Sequence, residues 1–123
     1  MSNPQKDWPA WTRDLAANLK NLRSGAPEVM KAFADMAAAA SAPQALDAKT
    51  KELIALGIGV AARCDDCIAF HVKAAFAHGA TRAEILETLG MAIYMGAGPS
   101  VMYASHALEA VGQFEAARPK TEG

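Results

Sequence analysis

Apolar side chains recur along this chain at helical spacings. Trp11, Leu15, Leu19 and Leu22 lie four, four and three residues apart, which puts them on one face of a helix starting near Pro9. Ser24-Gly25-Ala26 breaks the pattern. Pro27 followed by Glu28 then opens a second helix, because a proline at the first helical position gives up no needed N–H. Val29, Phe33 and Met36 form its stripe, which fades into an alanine run before Pro43. Asp47 is the natural N-cap of a third helix carrying Glu52, Leu53, Leu56 and Val60. Gly57 and Gly59 inside it cost about 1 kcal/mol each relative to alanine, a cost accepted where another backbone comes close.

The chain must turn near Arg63, and a fourth helix begins near Cys64 with Asp65 and Asp66 suited to the positive end of its dipole. Ile68, Val72 and Phe76 give it an apolar face, and Gly79 ends it. Thr81-Arg82-Ala83-Glu84 matches a capping box, so a fifth helix starts there with Ile85, Leu86, Leu89 and Ile93 inside. Gly96-Ala97-Gly98-Pro99 interrupts it, and a sixth runs from about Ser100 through Phe114. The first nine or so residues read as an arm, and the tail from Arg118 as polar and frayed. No stretch alternates apolar and polar positions as a half-buried strand would. The expected fold class is all-α: a single-domain bundle of about six helices over residues 1–123.

Composition narrows the partners. Hydrophobic residues make up 52% of the chain, and much of that is alanine, so the excess favours helix rather than membrane. Twelve basic against thirteen acidic residues leave a net charge of −1, with no basic excess to attract nucleic acid. The N-terminal stretch is polar, without the apolar core of a secretory signal. The compact apolar run Leu53 to Ala62 is far shorter than the ~20 residues of a spanning helix. The longer uncharged stretch from Thr88 to Ser105 is broken by Gly96, Gly98, Pro99 and Ser100. No membrane partner and a cytoplasmic location are therefore expected. In that compartment paired cysteines are more often catalytic or metal-binding than structural.

The chemistry concentrates between Glu52 and His71. Both cysteines of the chain, Cys64 and Cys67, lie there, and His71 follows four residues later. On a helix, spacings of three and four put Cys64, Cys67 and His71 on one face. Glu52 falls on the preceding helix, which must fold back to reach them. Side chains three apart stand roughly 5–6 Å from each other at Cβ. A disulfide wants ~3.5–4.5 Å, so closure across one turn is feasible with slight adjustment. A c-type haem attachment would need histidine where Ile68 stands, and a thioredoxin motif would need a strand feeding the helix. Three readings remain: a zinc site built from Cys64, Cys67, His71 and Glu52, two inert buried thiols, or a redox-active dithiol. For the dithiol, the thiolate is the attacking form. The helix dipole favours it at Cys64, and the nearby imidazole favours it at Cys67. The residues alone leave these two tied.

This pattern of Glu52, eleven residues, Cys64, two residues, Cys67, three residues and His71 resembles the signature of the AhpD-like alkyl hydroperoxidases. These belong to the carboxymuconolactone decarboxylase superfamily. The resemblance continues through Gly79-Ala80-Thr81-Arg82-Ala83-Glu84-Ile85-Leu86-Glu87 and Met95-Gly96-Ala97-Gly98-Pro99, so the motif core covers about residues 46–110. The decarboxylase branch generally lacks the paired cysteines, so this chain is more similar to the peroxidase branch.

The resemblance implies that Cys67 is the peroxidatic residue, passing through a sulfenic acid. Cys64 would donate a proton and then resolve the sulfenic acid into a Cys64–Cys67 disulfide. Glu52 would act as general base through His71 as proton relay. It further implies a hydroperoxide substrate, an external dithiol reductant (a lipoyl, thioredoxin or similar donor), a trimeric or hexameric homo-oligomer, and no cofactor or metal. In one respect the chain departs from the pattern. The alkyl hydroperoxidase has histidine directly before the second cysteine, where this chain has Asp66. A carboxylate there, beside Asp65, opposes thiolate formation, and Arg63 is placed to offset part of that charge.

Outside the motif, His78 before Gly79 reads as a helix-terminal residue and His106 as a packed or interface histidine. Met91, Met95 and Met102 read as core or interface, and Trp8 and Trp11 as packing for the first helix. The functional expectation is a thiol-dependent peroxidase. The competing readings are a general dithiol–disulfide oxidoreductase, a metal-binding or structural domain, and a lyase acting on a muconolactone-like ring.

Overall fold

Five helices follow one another: α1 (Trp8–Gly25), α2 (Pro27–Ser41), α3 (Ala48–Ala61), α4 (Asp65–Ala77) and α5 (Arg82–Ala117). The computed structural model describes residues 6–118, and no strand occurs among them. Part of the expected N-terminal arm and the tail beyond Arg118 fall outside the described residues.

The helix boundaries obey local chemistry. Asp7 caps α1 by accepting the Ala10 N–H, so α1 begins one residue before Pro9. Asp47 accepts from the Thr50 N–H at the start of α3, as its identity predicts. Thr81 and Glu84 complete the capping box of α5. Glu84 does a second job, because its other oxygen accepts from Lys49 Nζ at 2.8 Å and ties α5 to α3. That bond and the Thr81 N–H hold the Glu84 carboxyl below its ordinary value, and Lys49 is raised in return. Arg63 takes positive φ in the turn between α3 and α4, and Gly79 does so after α4.

The expected sixth helix is the second half of α5. The chain bends at Ala97 (φ 57°, ψ −141°) and re-enters helix at once. Pro99, in the first turn after the bend, has no N–H that the helix would miss. A β-carbon at Gly96 would overlap the Ser100 side chain, so the bend closes tightly over a buried serine. Ala97 pays for this geometry with a backbone conformation that residues bearing a β-carbon rarely adopt.

α3 is the central rod, packed most closely against α5 and α4. Leu56 and Val60 from α3 meet Ile68 and Val72 from α4 and Ile85 and Val111 from α5, all fully buried. Trp8 closes one end and is also buried. Of the two glycines in α3, Gly59 is the one that permits close approach. A β-carbon there would lie 3.1 Å from Cys67 Cβ, whereas at Gly57 the nearest atom would be Thr88 Cγ2 at an ordinary 3.4 Å.

α2 lies outside this core. It contributes no buried residue and packs only on α1 and α3. The stripe read from the sequence is present but uncovered, with Val29 71%, Phe33 59% and Met36 60% exposed. The methionines expected in a core or interface, Met91, Met95 and Met102, are likewise exposed within the single chain.

Two expectations follow from this packing. Gly59→Val pushes α4 away from α3 and lowers stability by about 1–3 kcal/mol, read as a drop in denaturant midpoint. Ala97→Gly relieves the bend and raises stability by about 1 kcal/mol; an unchanged or lower melting temperature would count against strain at that residue.

Candidate functional site

The site sits where α4 begins. Cys64 is the N-cap of α4, in extended conformation, and its N–H donates to the Gly59 carbonyl at 2.9 Å. This bond anchors the turn from α3 directly beneath the cysteine. Cys67 lies in the first turn, and its backbone N–H donates to Cys64 Sγ at 3.1 Å. The two sulfurs are joined in a disulfide, with the Cα atoms 5.2 Å apart, inside the usual range for such a bridge. Both cysteines are half-buried. A helix N-terminus presents unsatisfied N–H groups and the positive end of the dipole, so both sulfurs stand in a field that favours negative charge.

His71 follows Cys67 by one turn of α4. Its Nδ1 lies 2.6 Å from Glu52 Oε1, and Glu52 arrives from α3 as the long spacing requires. A ring nitrogen at that distance from a carboxylate oxygen carries the hydrogen and donates it. In the neutral ring Nε2 is then the basic nitrogen. The Glu52 side chain is the more buried of the two, at 15% exposed against 34% for His71. The carboxylate is therefore held and the imidazole edge is accessible.

A groove of about 580 Å³ opens beside this pair, between α2 and α3. Ala40, Leu46, Ile54 and Ile58 give it apolar walls, and Glu52 and His71 line it together with Lys51 and Ser41.

The two aspartates differ. Asp66 is exposed, and its charge is open to solvent screening. Asp65 is half-buried and paired twice: Oδ1 lies 2.8 Å from His106 Nδ1 and Oδ2 lies 3.6 Å from Lys6 Nζ. Arg63, expected to offset this charge, is exposed and makes no ion pair among the described residues. His106, expected as a packed or interface histidine, is half-buried with its ring 4.8 Å from that of Tyr103. Sequence reading missed Lys6 and the Asp65–His106 pairing because no local spacing signals a contact 41 residues apart. His78 caps the end of α4 through its backbone N–H.

Among the described residues, no three His, Cys, Asp or Glu side chains converge in a metal-binding arrangement.

The family model described as the carboxymuconolactone decarboxylase family matches residues 27–110. An uncharacterized protein of Cupriavidus necator is 46% identical over 82 residues, covering 67% of this chain and 73% of its own length. An uncharacterized protein encoded in the cox locus of Paracoccus denitrificans is 36% identical over 95 residues, covering 77% and 85%. Among solved structures, a carboxymuconolactone decarboxylase family protein of Legionella pneumophila superimposes with a TM-score of 0.84 at 50% identity. That match covers 87% of this chain and 96% of the other. A Thermotoga maritima protein of the same family superimposes with a TM-score of 0.79 at 28% identity, covering 85% and 90%. With the helical fold and these matches in agreement, the chain belongs to the carboxymuconolactone decarboxylase family.

Proposed function

We propose that this protein is a thiol-dependent peroxidase that cycles Cys64 and Cys67 between dithiol and disulfide. The observation that carries this reading is the hydrogen-bonded Glu52–His71 pair one turn from Cys67, on the helix whose first turn holds the disulfide. A base, two sulfurs and a helix N-terminus are together what a peroxidatic cycle needs. The Thermotoga maritima relative has been suggested to take part in an antioxidative response, which points the same way.

In the reduced protein, Glu52 as general base, acting through His71 as relay, draws off the Cys67 thiol proton directly or through a water. The Cys67 thiolate attacks the distal peroxide oxygen, the O–O bond breaks, and Cys67 becomes a sulfenic acid. Cys64 gives its proton to the departing alkoxide, forming the alcohol. The resulting Cys64 thiolate, which the Cys67 N–H is placed to stabilise, attacks the sulfenic sulfur. Hydroxide leaves and takes up the proton held at the Glu52–His71 pair, so one hydroperoxide and two thiols become one alcohol, one water and one disulfide. An external dithiol then reduces the disulfide by exchange. The largely apolar groove that Glu52 and His71 help to line suits a hydroperoxide with an apolar body.

Asp66 in place of a second relay histidine favours one alternative, a dithiol–disulfide oxidoreductase whose oxidant is another disulfide. The experiment that separates them follows organic hydroperoxide consumption by the prereduced protein with a dithiol donor. Cys67→Ser abolishes consumption, and His71→Ala lowers it by about 10²-fold or more. Full activity in Cys67→Ser would refute the peroxidase, while disulfide reduction without any peroxide consumption would select the alternative.

The same reading includes a homo-oligomer. Ile54, Ile58, Met91, Tyr94 and Met95 are exposed, as is the α2 stripe, and Ile54, Ile58, Met91 and Met95 line one shared apolar concavity of the kind an interface covers. The trimer or hexamer implied by the family resemblance would cover it. Light scattering is expected to return a mass several times 12.9 kDa, and a monomer at micromolar concentration would contradict it. No helix among the described residues is long and apolar enough to cross a membrane, and a reducing cytoplasm suits the cycle.

A further inference from the structure

Asp65 is the first residue of α4, directly after the redox sulfur of Cys64. An anionic carboxylate beside a thiol disfavours the thiolate, so an uncompensated Asp65 would oppose the helix N-terminus that otherwise favours it. The structure brings two distant residues to this carboxylate. His106 Nδ1, from the second half of α5, lies 2.8 Å from Oδ1 and donates to it whether the ring is neutral or cationic. Lys6 Nζ lies 3.6 Å from Oδ2, and the same ammonium sits 3.5 Å from the Trp11 ring centroid.

Lys6 is not a loose surface cation. Its backbone N–H donates to Glu109 Oε1 and its carbonyl accepts from Gln113 Nε2. The neighbouring Trp8 donates through its backbone to Gln113 and through its indole to Glu109. Two α5 side chains therefore hold residues 6–8 in place, with buried Trp8 as the anchor. Two segments far apart in sequence, residues 6–8 and the second half of α5, thus converge on one carboxylate at the start of α4. Tyr103 packs on the His106 ring and limits its freedom.

We propose that Lys6 and His106 are positioning residues for Asp65, Lys6 offsetting its charge and His106 holding the carboxylate by a hydrogen bond, so that together they set the reactivity of Cys64. This rests on the reading of Cys64–Cys67 as a dithiol/disulfide couple and adds to it a tuning device supplied by Lys6 and His106. The compensation lets Asp65 serve α4 as a first-turn carboxylate without its full charge acting on the sulfur.

The test is a double-mutant cycle on the full-length, prereduced protein. Iodoacetamide alkylation of Cys64 is timed at neutral pH, with peptide mass spectrometry resolving Cys64 from Cys67. Lys6→Met is expected to slow Cys64 alkylation about three- to tenfold, the upper figure equalling one pKa unit. Lys6→Arg is expected to restore the rate. His106→Leu is expected to slow it in the same direction. In an Asp65→Asn background, neither substitution should change the rate further, because the charge they answer is gone. A loss that persists in Asp65→Asn, or no change on Lys6→Met, would overturn the proposal and leave the peroxidase reading intact. A bridge that dithiothreitol cannot open to two titratable thiols would instead overturn the couple itself, and this tuning with it. Coupling in alkylation alongside an absence of hydroperoxide turnover would uphold the tuning and reject the peroxidase.

Discussion

The close contact between Gly59 and Cys67 is the constraint on which the rest depends. With no β-carbon at Gly59, the first turn of α4 lies against α3, and the Cys64 N–H bonds to the Gly59 carbonyl in the same place. That contact fixes how far α4 stands from α3, and hence whether Glu52 on one helix reaches His71 on the other. Over a span of 19 residues, two side chains meet at 2.6 Å only because the two helices are held at a backbone-to-backbone approach. The helical cost of glycine is offset here by a site that a larger residue would spread apart.

Around this contact the charges are arranged with economy. The helix N-terminus favours anionic sulfur, the exposed Asp66 is screened by solvent, and the half-buried Asp65 is answered by Lys6 and His106. Glu52 is the better buried member of its pair, so it orients the imidazole while His71 faces the groove. The acidic sequence between the cysteines, which by itself argues for weak thiolate formation, is thus much less adverse in three dimensions than on the line.

The periphery is a different regime. α2 and the outer faces of α3 and α5 carry large apolar side chains with no cover within the chain. Their helical spacing shows that each face is organised, and their exposure shows that its burial is not achieved by this chain's own core. The groove beside Glu52 and His71 opens toward this same surface, so subunit assembly and access to the site are physically linked under the proposed function.

The sequence by itself determined the elements and the motif. Caps at Asp47 and Thr81, the turn near Arg63, the stop at Gly79 and the break near Pro99 are written in residues within a few positions of one another. So is the adjacency of Cys64, Cys67 and His71, because helical period is a local property. Family resemblance, drawn from the Glu–Cys–Cys–His spacing, supplied the expected roles. Only the tertiary structure decided that helix resumes at once after the bend at Ala97, that Arg63 is exposed and forms no ion pair with the aspartates, and that residues 6–8 are docked rather than part of a free arm. It also decided that His106 binds Asp65 across 41 residues. The reason is physical: capping and periodicity are set by neighbours along the chain, whereas ion pairs between helices depend on which faces the core brings together, and no local pattern encodes that.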